Sequence, residues 1–355
     1  MMGIGNNNLV PFVGMVLAIL AQTSNMVIAK TAMSHGTNKF IMVVYSNTIS
    51  SLILLPCSFF YHRSNRPSMT SSLFGRFFLL ALFGCSGQIF GYVGIEYSSP
   101  TLGTTMFNLI PAFTFILAVI FRMETLYWRS SSSQAKILGT IMSMIGAFVV
   151  IFYKGPPVVK RLPISNLSNQ LLFSSHSHWI LGGFFLASDC FVSSLWYIVQ
   201  ASTQKKYPAV LLAVLYQISL SAVMSAIFAL IVVKDASAWK LKLDMGLVSI
   251  LHTAIVSTVI RYSLITWCVS KAGAFYCAMF KPLGIIFTVF MGAIFLGESF
   301  YLGSLIGATI IVTGFYVVMR GKAKDQEKVD SSESSLDHNS PLLLNKAQDK
   351  QELPI

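Results

Sequence analysis

Charge is the scarcest commodity in this chain of 355 residues: only 11% are charged, against 54% hydrophobic. A soluble domain carries roughly 25% charged residues, so most of this surface does not face water. Mean hydropathy of +0.68 agrees, and the bilayer is the relevant solvent. The chain also lacks a GxxxxGK[ST] phosphate loop, a GxSxG elbow and an HExxH pair, which argues against ATP-driven pumping and common hydrolytic chemistries. Lys and Arg are missing from residues 1–9, so a cleaved signal peptide is not expected. Five cysteines (Cys57, Cys85, Cys190, Cys268, Cys277) all fall in apolar runs without ligand spacing, which leaves neither a disulfide framework nor a metal site to expect. His176 and His178 have no third ligand in sequence, and no cofactor is implied.

What is present is long apolar runs. A spanning helix needs about 20 mostly apolar residues. Ten runs qualify: Val10–Met33, Phe40–Tyr61, Phe74–Ile95, Thr101–Phe121, Ala135–Tyr153, Trp179–Thr203, Ala209–Val233, Gly246–Val269, Ala274–Leu296 and Tyr301–Met319. The expected fold is an all-α membrane protein of ten transmembrane helices. Residues 1–320 hold 20 Lys/Arg and 6 Asp/Glu, and the polar stretch 321–355 is expected to be a disordered tail. With the N-terminus inside, the inner connections and the start of the tail together carry 13 Lys/Arg and the outer connections 7. Both termini are therefore expected in the cytoplasm. Basic residues confined to short connections indicate orientation in a membrane, not nucleic-acid binding. The sequon at Asn166 falls in the fifth connection, an outer one in this topology, and is a glycosylation candidate.

The halves resemble each other. Met106-Phe107-Asn108 returns as Met279-Phe280-Lys281, each followed by a proline, Pro111 or Pro282. Gly139 and Gly146 match Gly307 and Gly314 in spacing. Five helices end on the side opposite to their start, so the second copy must insert upside down. The expectation is two inverted five-helix repeats, 10–154 and 179–320, joined by an extracytoplasmic loop at 155–178, with a binding site near the midplane.

On these motifs the chain resembles EamA-type members of the drug/metabolite transporter superfamily. It is most similar to the plant nodulin-like, WAT-related group, also called usually-multiple-acids-move-in-and-out transporters. The resemblance is carried by Tyr97-Ser98-Ser99-Pro100-Thr101, Asn108-Leu109-Ile110-Pro111, Arg122-Met123-Glu124, Lys281-Pro282-Leu283, Leu296-Gly297-Glu298 and Tyr301-Leu302-Gly303. It implies export or facilitated movement of amino acids, auxin or related small organic solutes. The family often has Asn before the proline of the ninth helix, where this chain has Lys281.

A charge at the bilayer centre costs roughly 2.5–3.5 kcal/mol on insertion scales, so intramembrane charges are functional candidates. Asp189, Arg261 and Lys281 lie well inside predicted helices. The repeat pairs Gln88 with Arg261 and Asn108 with Lys281, which suggests one polar cavity. Arg261 and Lys281 are expected to hold a solute carboxylate, while Asp189 either binds an amine or balances a cation. The alternative is an internal ion pair that only ties helices together. Gln22 and Asn25 are expected along the path, and Tyr92, Phe107, Trp196, Tyr262 and Trp267 on the walls. Glu96, Asp189 and His252 are the proton-coupling candidates. The expected activity is secondary transport or facilitation of carboxylate-bearing solutes, amino acids first and auxin-like acids second, and not catalysis. A non-transporting scaffold or receptor is the rival. The expected partners are a small organic solute, the bilayer and a second copy in a homodimer. The plasma membrane comes first as location and the vacuolar membrane second.

Overall fold

A computed structural model describes residues 6–61, 69–98, 100–123, 130–153, 156–159, 176–241, 243–295 and 300–338. Among them the chain is almost wholly helical. Helices α1 (Asn6–Ser34), α2 (Lys39–Tyr61) and α3 (Ser71–Tyr97) come first. The short α4 (Pro100–Met106) and α5 (Leu109–Ile120) follow end to end, and then α6 (Ser131–Phe152). The second series is α7 (His176–Lys206), α8 (Val210–Val232), α9 (Met245–His252) and α10 (Arg261–Ala272). It continues with α11 (Ala274–Ala278), α12 (Leu283–Phe295) and α13 (Leu302–His338). Between α9 and α10, residues Thr253–Ile260 are wound as a π-helix. A two-stranded antiparallel ribbon pairs β1 (Pro157–Val159) with β2 (Phe300–Tyr301).

Seven helical segments among the described residues are long and apolar enough to cross a membrane. They are Leu9–Ser34, Lys39–Tyr61, Ser71–Tyr97, Pro100–Ile120, Leu181–Lys206, Val210–Val232 and Met245–Ala272. Large apolar side chains such as Phe60, Phe74, Ile120, Leu230 and Phe290 lie exposed on the outer faces, as expected where lipid is the solvent. Asn166, Glu124 and Glu298 lie outside the described residues.

The last helix differs from expectation. It does not stop at Arg320 but runs to His338. Ser132 Oγ donates to the Gly321 carbonyl at 2.6 Å, so α6 supports the chain beyond the apolar run.

The packing pairs the two series with each other. Helix α3 lies against α7, and α1 lies against α9, the π-turns and α10. Helix α2 packs on α8, α4 on α12, α5 on α11, and α6 on α13. Every pairing has its counterpart when the two series are exchanged. The glycines show the same reciprocity. A Cβ on Gly139 would sit 2.5 Å from the Gly314 carbonyl oxygen, and one on Gly146 would sit 2.9 Å from that of Gly307. These contacts make α6 and α13 antiparallel and so close that backbone meets backbone. Only small residues permit that approach.

Two helices break, each near a proline. Pro111 and Pro282 have no N–H to give to the preceding turn. The amides of Asn108 and Lys281 bond instead three residues back, to Thr105 and Ala278, each at 3.1 Å. The π-turns have a different cause. Their sequence is rich in β-branched residues, which crowd an α-helix. Ser50 Oγ on α2 also takes the Ala254 carbonyl at 3.0 Å from outside, which loosens the ladder there.

Candidate functional site

Where these irregular segments meet, α1, α3, α7 and α10 enclose a cavity that is also bounded by Phe107 and Lys281, at the two helix breaks. It offers about 100 Å³ to the centres of water molecules. One buried water needs on the order of 10–15 Å³ by that measure, so the cavity admits several waters or a small organic solute.

Ten of the twelve residues expected along the path and its walls reach this one cavity. They are Gln22, Asn25, Gln88, Tyr92, Phe107, Asp189, Trp196, Arg261, Tyr262 and Lys281. Trp267 is not on the wall. Asn108 is the exception among the polar residues and corrects the expectation from the repeat. It is buried in the α4–α5 break, where its Nδ2 donates to the Thr105 carbonyl at 2.8 Å. A short amide satisfies the local carbonyl and stays there. At the corresponding position Lys281 has a long stem and only donors. Its ammonium crosses to α1 and donates to Gln22 Oε1. It also lies 5.5 Å from the centre of the Phe107 ring and 5.8 Å from that of Tyr197, within cation–π range.

Arg261 follows the last π-turn. Its Nε donates to the Ser257 carbonyl at 2.9 Å, and its guanidinium sits 4.4 Å from the centre of the Tyr262 ring. Those contacts hold the side chain along the wall. Asp189 is buried on α7 and accepts from Ser193 Oγ at 3.0 Å. Cβ atoms at Gly87 and Gly91 would lie within 3.0 Å of its carboxylate oxygens. Two of the α3 glycines therefore make room for a charge, a role that spacing alone could not separate from ordinary helix packing.

Asp189 makes no ion pair with Arg261 or Lys281. The alternative of a structural tie between helices is therefore not what the geometry displays. Asn25 bridges instead, donating to the Tyr92 hydroxyl at 3.1 Å and accepting from Thr253 Oγ1 at 2.6 Å. Trp196 Nε1 and the Tyr197 hydroxyl find no hydrogen-bond partner among the described residues. Both belong to the cavity wall. Tyr197, Ser193 and Ser257 are site residues that the sequence did not single out. The signal for Ser193 was its place one turn after Asp189.

The proton-coupling candidates separate. Only Asp189 lines the cavity. Glu96 pairs with Lys39 at the end of α3, and His252 shares a hydrogen bond with Ser24 at 3.3 Å outside the wall. No cluster of three or more His, Cys, Asp or Glu suited to a metal occurs among the described residues.

Comparison with known proteins agrees with this architecture. Residues 11–152 and 180–320 each match the EamA-like transporter family. A WAT1-related protein of Arabidopsis thaliana is 44% identical, covering 90% of this chain and 91% of its own length. Two others from that plant are 42% and 41% identical, over 90% and 95% of this chain and 87% and 92% of theirs. One solved protein structure superposes with a TM-score of 0.63 at 12% identity. It covers 90% of this chain and 98% of the other, a likeness of fold alone. The chain belongs to the EamA-like transporter family and, within it, to the plant WAT1-related proteins: it is an integral, multi-pass membrane transporter.

Proposed function

We propose that this transporter moves small solutes bearing a carboxylate, amino acids first and auxin-like acids second, by alternating access as a secondary carrier or facilitator. The observation that carries the reading is the charge pattern of the cavity. Arg261 and Lys281 offer two cations, and Asp189 offers one anion that neither cation neutralises by direct contact. A zwitterion fits that pattern, its carboxylate toward Lys281 and Arg261 and its amine toward Asp189. Indole and phenol walls from Trp196, Tyr197 and Tyr262, packed edge to face at 5.3 and 5.4 Å, leave room for an apolar side chain. An aromatic monocarboxylate is the second choice because it leaves Asp189 unanswered.

Alternating access rests on ten spans arranged as two inverted repeats, 10–154 and 179–320. The exchange symmetry of the helix pairings supports that arrangement. So does the reciprocal contact of Gly139 with Gly314 and Gly146 with Gly307. An inverted repeat supplies two near-equivalent packings around one midplane site. Termini in the cytoplasm and residence in the plasma membrane complete the proposal, with the vacuolar membrane second.

Purified protein in liposomes tests it with three labelled probes: a neutral amino acid, an aromatic monocarboxylate and a primary amine. The amino acid is expected to cross fastest, and Lys281→Met to abolish its flux. Equal flux of the amine, or amino acid flux insensitive to Lys281→Met in a normally folded protein, overturns the reading.

A further inference from the structure

Three buried glutamines lie outside the cavity wall and are poorly satisfied. Gln200 and Gln204 lie on α7 and Gln217 on α8, at 0%, 4% and 1% exposure. Gln200 Nε2 donates to Thr266 Oγ1 on α10 at 3.0 Å, while its Oε1 has no partner. Both amide atoms of Gln204 and both of Gln217 are without a hydrogen-bond partner among the described residues. Buried polar atoms are almost always bonded, and each exception calls for a reason.

Their placement offers one. Asp189, Ser193, Trp196, Gln200 and Gln204 fall within about 80° of one another on a helix of 3.6 residues per turn. They therefore form one stripe on α7. Its first three residues face the cavity. Gln204 lies about 12 Å further along the axis, beside the exposed Lys205 and Lys206 that end the helix. At that end Tyr207 and Tyr216 both pack on Phe77, their ring centres each 5.4 Å from its own. Arg76 Nη1 also donates to Ser202 Oγ at 2.6 Å. Gln217, next to Tyr216, belongs to the same end.

The opposite end of the cavity is closed differently. Lys30 on α1 donates to the carbonyls of Ile95, Glu96 and Ser98, at 2.8, 2.9 and 2.9 Å. Three charge-assisted bonds hold α1 to the end of α3. At the other, α7 is joined to α10 by the neutral bond from Gln200 to Thr266.

We infer that the solute route leaves the central cavity along this face of α7, past Gln200 and Gln204, and that the Gln200–Thr266 bond is the bar across it. The inference rests on the transport reading above. When α10 moves away from α7, the unsatisfied amides meet water and solute instead of hydrocarbon, which accounts for polar side chains where leucine would pack better.

The test is water access at Gln204→Cys in the full-length protein in liposomes. Cys57 is the exposed native thiol, so the background carries Cys57→Ser. A small charged methanethiosulfonate reagent is the probe. With the bar intact, labelling of Cys at 204 is expected to be slow. Gln200→Ala or Thr266→Val, the latter exchanging the hydroxyl for a methyl of similar size, is expected to speed it at least tenfold. Rates unchanged in both variants, or fast labelling already in the parent, overturn the inference. Labelling needs no solute, so its failure is distinct from failure of the flux assay. In flux, Gln204→Leu is expected to lower maximal rate at least fivefold while half-saturation shifts less than twofold. A wild-type maximal rate overturns the route.

Discussion

Asn108 and Lys281 stand at equivalent points of two equivalent breaks, yet one side chain turns back into its own helix and the other crosses to α1. The backbone event is the same in each: a nearby proline withholds a hydrogen bond and the chain closes a tighter turn. What differs is reach and bonding capacity. An amide can donate to the carbonyl one turn behind it. An ammonium on four methylenes carries three donors and a charge that one carbonyl cannot satisfy, so it seeks the cavity and Gln22. A duplicated fold can thus keep its architecture symmetric while its chemistry becomes one-sided.

The swap at these breaks is the sharpest way to break that comparison. Lys281→Asn is expected to fold, because the asparagine can cap the break as Asn108 does. Its solute affinity, measured by flux saturation, is expected to fall about 10- to 100-fold, the scale of losing one charged hydrogen bond of roughly 1.5–3 kcal/mol. Asn108→Lys is expected to fail in expression or melt far lower, since it buries a cation facing no cavity. If Lys281→Asn transports like wild type, the asymmetry is ornamental.

Asp189→Asn separates the two solute readings. Flux of a zwitterion is expected to drop about tenfold, while that of an aromatic monocarboxylate stays level or rises as an opposing charge disappears. Parallel losses for both would mean that Asp189 holds the helices and not the amine.

The paired glycines test the symmetry itself. Gly146→Leu and Gly307→Leu each force side chain into backbone, and overpacking typically costs about 1–3 kcal/mol. The melting temperature in detergent is expected to fall by similar amounts in both. A large loss in one and none in the other would show that α6 and α13 are not equivalent partners.

The smallest effect belongs to Asn108→Ala, expected to cost about 1 kcal/mol of stability for one neutral hydrogen bond. Its half-saturation for amino acid flux is expected to stay within twofold of wild type. A change larger than Lys281→Asn produces would reverse the assignment of which break serves the cavity.

Much of this was legible in advance because lipid constrains sequence so strongly. Apolar runs marked the helices, and the motif echo marked the repeat. Charges stranded in apolar runs, Asp189, Arg261 and Lys281, marked the cavity because burying them without purpose is costly. Other features were not legible. Asn108 looked like a cavity residue because alignment reports position and not the direction of a side chain. Nor did sequence separate Asp189, on the cavity wall, from Glu96 and His252, which lie off it beside Lys39 and Ser24. Gln200 and Gln204 read as ordinary polar residues until their burial was known.

By itself, then, the sequence determined the solvent, the helical class, the duplication and which charges fall inside apolar runs. Those follow from composition and local spacing, which act along the chain. Only the tertiary structure decided that Asp189 stands unpaired from both cations, that α3 glycines make room for it, and that Lys281 rather than Asn108 enters the cavity. Such outcomes depend on which helices meet and how far each side chain reaches, and no local pattern carries that information.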